Sequence, residues 1–176
     1  MNKRNIVLIG FMGSGKSSIG RDLAYLLKMD FYDSDNVIEH QQQKTIPYIF
    51  MNLGEEYFRA EEVKTIKELS EKKNVVIATG GGVITDQRNI QALRSNGVLI
   101  YLRADCDHIY NNVKDDHNRP LLQTDQPYET MKALLNSRHQ AYEKASDIQV
   151  DVSGKSIPEI IACIQEELGL TKEVIS

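Results

Sequence analysis

Short apolar runs alternate with longer amphipathic stretches along the chain. Residues 6–9, 75–78 and 98–102 are continuous apolar runs rich in β-branched side chains. Residues 148–152 form a weaker run, and Phe31-Tyr32 hints at a short extra strand. Continuous runs of this kind suit strands buried on both faces of a parallel sheet. Between them the period lengthens to that of a helix. Ile19, Leu23, Leu26 and Leu27 fall at offsets 0, 4, 7 and 8, one helical face. Val63, Ile66 and Leu69 recur at three-residue steps, and Asp86 is placed to cap a helix carrying Ile90 and Leu93. Met131, Leu135 and Tyr142 lie at offsets 0, 4 and 11. Ser156 and Glu159 have capping-box spacing, with Pro158 in the first turn and Ile160, Ile161, Ile164 and Leu168 as the apolar face. The alternation predicts one three-layer α/β domain spanning 1–176, with right-handed crossovers and a strand order that the pattern leaves open.

One stretch breaks the rhythm. Residues 111–127 are mostly polar, with Leu121 and Leu122 the only leucines. Such an excursion is either a variable surface loop or a lid over an active site.

Composition narrows the classes. The 176 residues carry 21 lysines and arginines against 25 aspartates and glutamates, a formal net charge of −4. That balance gives no electrostatic reason to expect nucleic acid as a partner. The chain is 41% hydrophobic and 26% charged, too apolar and too mixed for a disordered polymer. The run at 6–9 is too short for a signal peptide or a membrane span, and Gly10 stops it. A cytoplasmic enzyme, monomeric and without a membrane partner, is therefore expected. Cys106 and Cys163 lack CxxC spacing, so neither thiolate metal binding nor a disulfide framework is expected; Cys163 reads as a buried helix position.

The chemistry begins at Gly10-Phe11-Met12-Gly13-Ser14-Gly15-Lys16-Ser17, which fits G-x-x-x-x-G-K-[ST] at every fixed position. It follows a predicted strand and opens a predicted helix. Glycines let the backbone wrap closely and turn N–H groups inward, and the helix N-terminus adds partial positive charge. Lys16 reaches the β- and γ-phosphates, and Ser17 offers a hydroxyl to Mg²⁺. The motif predicts a nucleoside triphosphate with magnesium, but not the reaction. No guanine-specifying N-K-x-D is present, and the strand at 75–78 runs into Thr79-Gly80-Gly81-Gly82 rather than a metal-binding acid.

Asp33-Ser34-Asp35 supplies two carboxylates just past the short second strand, where a parallel sheet faces its ligands. One can serve the metal and the other an acceptor hydroxyl, or the pair is a helix cap. Arg59 and Glu62 stand at i, i+3, as a surface ion pair or as part of a site. Arg138 interrupts the apolar stripe of Leu135 and Tyr142, either snorkelling or binding an anion with its planar fork. The glycine run is a flexible turn or a surface on which a small ligand lies closely. Arg119, in Asn118-Arg119-Pro120-Leu121-Leu122, is placed to close over transferring phosphate.

Taken together, the set resembles shikimate kinase, from residue 6 to about 168. It rests on residues 10–18, the Asp33-Ser34-Asp35 triplet, Gly54 to Arg59 with Glu62, residues 79–83, residues 119–122, and Arg138 with Tyr142. The resemblance implies a nucleoside-monophosphate-kinase fold with a five-stranded parallel sheet, a lid at about 111–127 and a substrate-binding region at about 33–62. It implies transfer of the γ-phosphoryl of ATP to the 3-hydroxyl of shikimate. Gly13, Ser14, Gly15, Lys16, Ser17, Ser18, Arg119 and Pro158 would then bind ATP. Asp35, Arg59, Gly80, Gly81, Gly82 and Arg138 would bind shikimate, the two arginines on its carboxylate. Asp35 would be the base, with Lys16 and Arg119 neutralising phosphate. Ser17 and Asp33 would hold Mg²⁺, and Glu62 would support Arg59. Members of the family often carry an arginine against adenine shortly before the lid. Here Asn111-Asn112-Val113-Lys114 has none, leaving Lys114 or Asn112 for that place, opposite Pro158. The competing readings are a kinase for another small polyol acid, such as gluconate or an amino-substituted shikimate, and a non-catalytic nucleotide-binding regulatory module.

Overall fold

The structure, a computed structural model, describes residues 4–115 and 124–170. Among them lie five strands: β1 (Asn5–Ile9), β2 (Asp30–Asp33), β3 (Val75–Ala78), β4 (Gly97–Arg103) and β5 (Ile148–Asp151). They form one parallel sheet in the order β2-β3-β1-β4-β5. The order follows burial. Every residue of β1 and β3 is buried, whereas β2 and β5 at the edges remain partly open. The most apolar runs occupy the centre because helices cover both faces there, and each buried aliphatic side chain contributes about 1.5–3 kcal/mol relative to exposure.

The helices are α1 (Lys16–Leu27), α2 (Ser34–Gln42), α3 (Ile46–Asn52), α4 (Glu55–Ser70), α5 (Gln87–Asn96), α6 (Cys106–Val113), α7 (Pro127–Ala145) and α8 (Ile157–Glu167). On one side α1 packs on β2, β3 and α8; elsewhere α5 packs on α4 and, with α7, on β4. The predicted caps form. Asp86 accepts from the Arg88 N–H, and Ser156 with Glu159 makes the reciprocal box at α8. A second, smaller core of Ile38, Ile49 and Phe58, flanked by Ile46 and Phe50, binds α2, α3 and α4 into a unit.

Four details differ from the sequence reading. Leu26 is 53% exposed and Ala24 is buried, because the covered face of α1 (Lys16, Ile19, Gly20, Leu23 and Ala24) is rotated away from Leu26. Cys163 is only partly buried, because α8 turns Ile160, Ile161 and Ile164 to the core and leaves Cys163 on its flank. Helices α2, α3 and α6, of nine, seven and eight residues, are too short for periodicity to show, and local caps define them instead: Asp33, Thr45 and Asp105 each accept from a first-turn N–H. Finally, the polar excursion is shorter than 111–127. Residues 111–113 close α6 and Pro127 opens α7, while Arg119 and its neighbours at 116–123 lie outside the described residues.

Because all five strands run parallel, their C-terminal ends share one edge. The phosphate loop leaves β1 there, the acidic triplet leaves β2, and the glycine run leaves β3. That edge is where open α/β sheets hold ligands.

Candidate active site

The loop at 10–15 folds onto itself. Gly13 and Gly15 take φ of 74° and 86°, left-handed values that a side chain would oppose. Ser14 donates its hydroxyl to the Phe11 carbonyl at 2.8 Å. Lys16 is buried, and its Nζ donates to the carbonyls of Gly10 (2.9 Å) and Phe11 (2.8 Å). The lysine thus lies back along the loop with its charge satisfied by carbonyl oxygens. Ser17 and Ser18 are exposed on the first turn of α1.

Asp33 joins two elements. Its Oδ1 accepts from the N–H groups of Asp35 (3.0 Å) and Asn36 (3.4 Å), capping α2. Its Oδ2 accepts from the Ser17 hydroxyl at 2.5 Å. The cap reading of this aspartate is met, and its other oxygen stands against the phosphate-loop serine. A hydroxyl and a carboxylate oxygen brought together in this way are hard donors of the type that Mg²⁺ prefers, so these residues fit that ion.

Two residues on, Asp35 turns inward. Its Oδ1 is buried without a hydrogen-bond partner among the described residues. Burial pushes its pKa up to about 6, with Asp33 and Glu62 adding repulsion and Lys16 opposing them. Glu62 lies alongside, 1% exposed, with Oε2 accepting from Arg59 at 2.8 Å and Oε1 buried and unpartnered. Burial raises the Glu62 pKa against the pull of Arg59. Arg59 loses hydration by its own partial burial, but Glu62 and Glu55 outweigh that loss and strengthen its charge. The i, i+3 pair is thus no surface bridge: α4 carries it under the glycine run.

That run is a seam between the two sides. A methyl group on Gly80 would fall 2.6 Å from Asp35 Oδ1 and 3.2 Å from Glu62 Oε1. One on Gly81 would fall 3.3 Å from the Met12 backbone nitrogen in the phosphate loop, and one on Gly82 would strike the Arg59 guanidinium. The run is held from three directions. Ser34 Oγ accepts from the Gly80 N–H at 3.0 Å. Thr79 donates its hydroxyl to the Leu8 carbonyl at 3.0 Å. Tyr142 donates to the Gly81 carbonyl, which Arg138 also approaches at 3.4 Å. Arg138 therefore points off α7 toward the pocket rather than snorkelling outward.

So the fold collects Lys16, Ser17, Asp33, Asp35, Arg59, Gly80, Gly81, Gly82 and Arg138 around one seam. Ser34 escaped the sequence reading, although its place between the two aspartates was a signal that it faces the same edge. The holding role of Tyr142 had no local signal. Of the residues expected to face adenine, Asn112 donates its amide to the Gly13 carbonyl at 2.9 Å, while Lys114 and Pro158 are exposed.

A family model for shikimate kinase matches residues 12–169. The chain belongs to the shikimate kinase family. A shikimate kinase of Actinobacillus pleuropneumoniae serotype 5b is 44% identical over 154 residues, 88% of this chain and 89% of that protein. One from Legionella pneumophila (strain Corby) is 45% identical over 148 residues, covering 84% and 85%. Among solved structures, a shikimate kinase from Acinetobacter baumannii in complex with shikimate superposes with a TM-score of 0.91 at 36% identity, covering 97% of this chain and 96% of that one. A gluconokinase from Sinorhizobium meliloti, at 16% identity and a TM-score of 0.57, shares the fold alone. The protein is accordingly a phosphotransferase of the shikimate kinase family, with a five-stranded parallel sheet.

Proposed function

We propose that the protein transfers the γ-phosphoryl group of ATP to the 3-hydroxyl of shikimate. The observation that carries this reading is the seam itself. The backbone of a phosphate loop lies against a glycine run whose other flank holds a buried carboxyl and two arginines. A relative solved with shikimate supports the choice of acceptor.

The roles follow from position. Lys16, the loop amides, Ser14 and Ser18 bind and neutralise phosphate, joined by Arg119. Ser17 and Asp33 hold Mg²⁺. That ion, when bound, offsets charge on the transferring phosphoryl group. Arg59 and Arg138 clamp the acceptor's carboxylate, and Glu62 fixes Arg59 in orientation. Asp35 orients the acceptor hydroxyl and takes its proton. A pKa near 6 leaves it ionised at neutral pH yet a better proton acceptor than an exposed aspartate. Residues 33–62 form the acceptor-binding region, the segment between α6 and α7 the lid, and the whole chain one domain. Pro158 lines the adenine side.

The test is a coupled assay with shikimate and Mg-ATP, run beside gluconate and an amino-substituted shikimate. Turnover with shikimate well above the others is expected. Folded protein that transfers no phosphoryl group to shikimate, or that prefers gluconate or the amino-substituted shikimate, would overturn the reading.

A further inference from the structure

Helix α6 lies directly on the phosphate loop. A Cβ at Gly13 would fall 2.7 Å from Val113 Cγ1 and 3.2 Å from the Ile109 carbonyl, and both residues are buried. Beside this packed contact, Asn112 Nδ2 donates to the Gly13 carbonyl at 2.9 Å, joining positions 99 residues apart. The other end of the same peptide unit is also held, because the Ser14 N–H donates to the Phe11 carbonyl at 3.3 Å. The Gly13–Ser14 peptide plane is therefore tied at both ends, once from within the loop and once from α6.

A glycine-rich segment has many backbone conformations open to it, and ordering each residue costs about 1–2 kcal/mol. Fixing one peptide plane limits the directions of the N–H groups that follow. The tie comes from the last turn of α6, one residue before that helix ends. At its start the same helix is fastened to α7 by Tyr128, whose hydroxyl donates to Asp107 at 2.6 Å, and by the edge-on contact of Tyr110 with Tyr128 at 5.4 Å. The platform that holds Gly13 is therefore itself braced.

We propose that Asn112 is a positioning residue for the phosphate loop: its amide sets the Gly13–Ser14 peptide so that the loop meets phosphate already formed. Asn112 thus serves the phosphates through Gly13 and does not read the base. The inference rests on the loop being the ATP site, as proposed above.

The experiment compares wild type with Asn112→Ala, Asn112→Asp and Asn112→Gln in the full chain. Mg-ADP and Mg-GDP are titrated separately by calorimetry, alongside steady-state kinetics. Loss of one such hydrogen bond is expected to weaken both nucleotides by the same factor, about 5- to 10-fold, and to raise the KM for ATP equally. The KM for shikimate and kcat should stay within about 2-fold. Asn112→Asp, which turns an acceptor toward the Gly13 carbonyl, should be worse than alanine, and Asn112→Gln should recover part of the affinity. Loss confined to the adenine nucleotide would mean that the side chain reads the base. Unchanged affinity for both, or a joint fall in kcat and both KM terms with a lowered Tm, would equally overturn the proposal. Wild type that binds neither nucleotide would overturn the ATP-site reading along with it, an outcome distinct from the others.

Discussion

The two halves of the site are satisfied in opposite ways. On the phosphate side, the polar side chains Ser14, Lys16 and Ser17 already have partners within the loop or on Asp33. On the acceptor side, one oxygen each of Asp35 and Glu62 is buried with no partner among the described residues. A buried unpaired acceptor is costly, about 1–3 kcal/mol or more when charged. The phosphate side is thus a preformed cradle. The other side keeps buried carboxylate oxygens whose missing donors a polyhydroxylated ligand can supply. The contrast teaches where selectivity should lie. A loop that pairs its own groups binds any polyphosphate, whereas unpaired acceptors reward only a ligand whose hydroxyls reach them.

The sharpest way to break the contrast is Asp35→Asn. It keeps shape and removes the base, so kcat should fall about 10²- to 10⁴-fold while Mg-ADP affinity measured by calorimetry changes little. The wild-type profile of kcat/KM for shikimate should fall on the acid side with an apparent pKa near 6, and the variant should lack that limb. Because the folded carboxyl holds its proton more tightly than the unfolded one, its contribution favours the fold at low pH. That contribution is lost as pH rises from 3.8 to about 6. Denaturant titrations at pH 4 and pH 8 should therefore show Asp35→Asn gaining stability relative to wild type only at the higher pH.

The next effect in size concerns the clamp. Arg59→Ala and Arg138→Ala should each raise the KM for shikimate about 10- to 100-fold, the worth of a charge-assisted hydrogen bond, with ATP binding nearly unchanged. Arg59→Ala also strands Glu62 without its partner, so it should lower Tm where Arg138→Ala does not. Equal loss of both ligands would erase the distinction between the halves.

The smallest change tests the seam. Gly80→Ala pushes a methyl group to 2.6 Å from Asp35 Oδ1 and is expected to lower kcat/KM for shikimate roughly 10-fold, again sparing nucleotide. A loss on the nucleotide side instead would place Gly80 in the cradle.

The two halves also differed in how readable they were. The phosphate loop is one contiguous motif between a strand and a helix, so its chemistry and context are both local. The strands β1, β3 and β4 were equally plain, being unbroken apolar runs in the sheet centre. The proposed acceptor pocket draws on α2, α4, the turn after β3, and α7. Residue types could nominate Asp35, Arg59 and Arg138, but not their convergence. Glu62 is the clearest case. At i, i+3 from Arg59 it is indistinguishable from a surface bridge until α4 packs beneath Gly80 and shuts it from water. Helices α2 and α3 were hidden for a related reason: their apolar positions serve the small core of Ile38, Ile49 and Phe58 rather than the sheet.

Asp33 has a consequence that outlasts these assignments. One carboxylate oxygen grips Ser17 in the first turn of α1, and the other grips the first turn of the helix bearing Asp35. The phosphate loop and the helix bearing Asp35 therefore share a joint at Asp33, beside the seam along the glycine run. Whatever free energy a nucleotide exerts on that joint, the acceptor must return in equal measure, because coupling between two binding events is reciprocal. In a chain of this size one side chain thus touches both the loop that would hold the nucleotide and the helix that would face the acceptor.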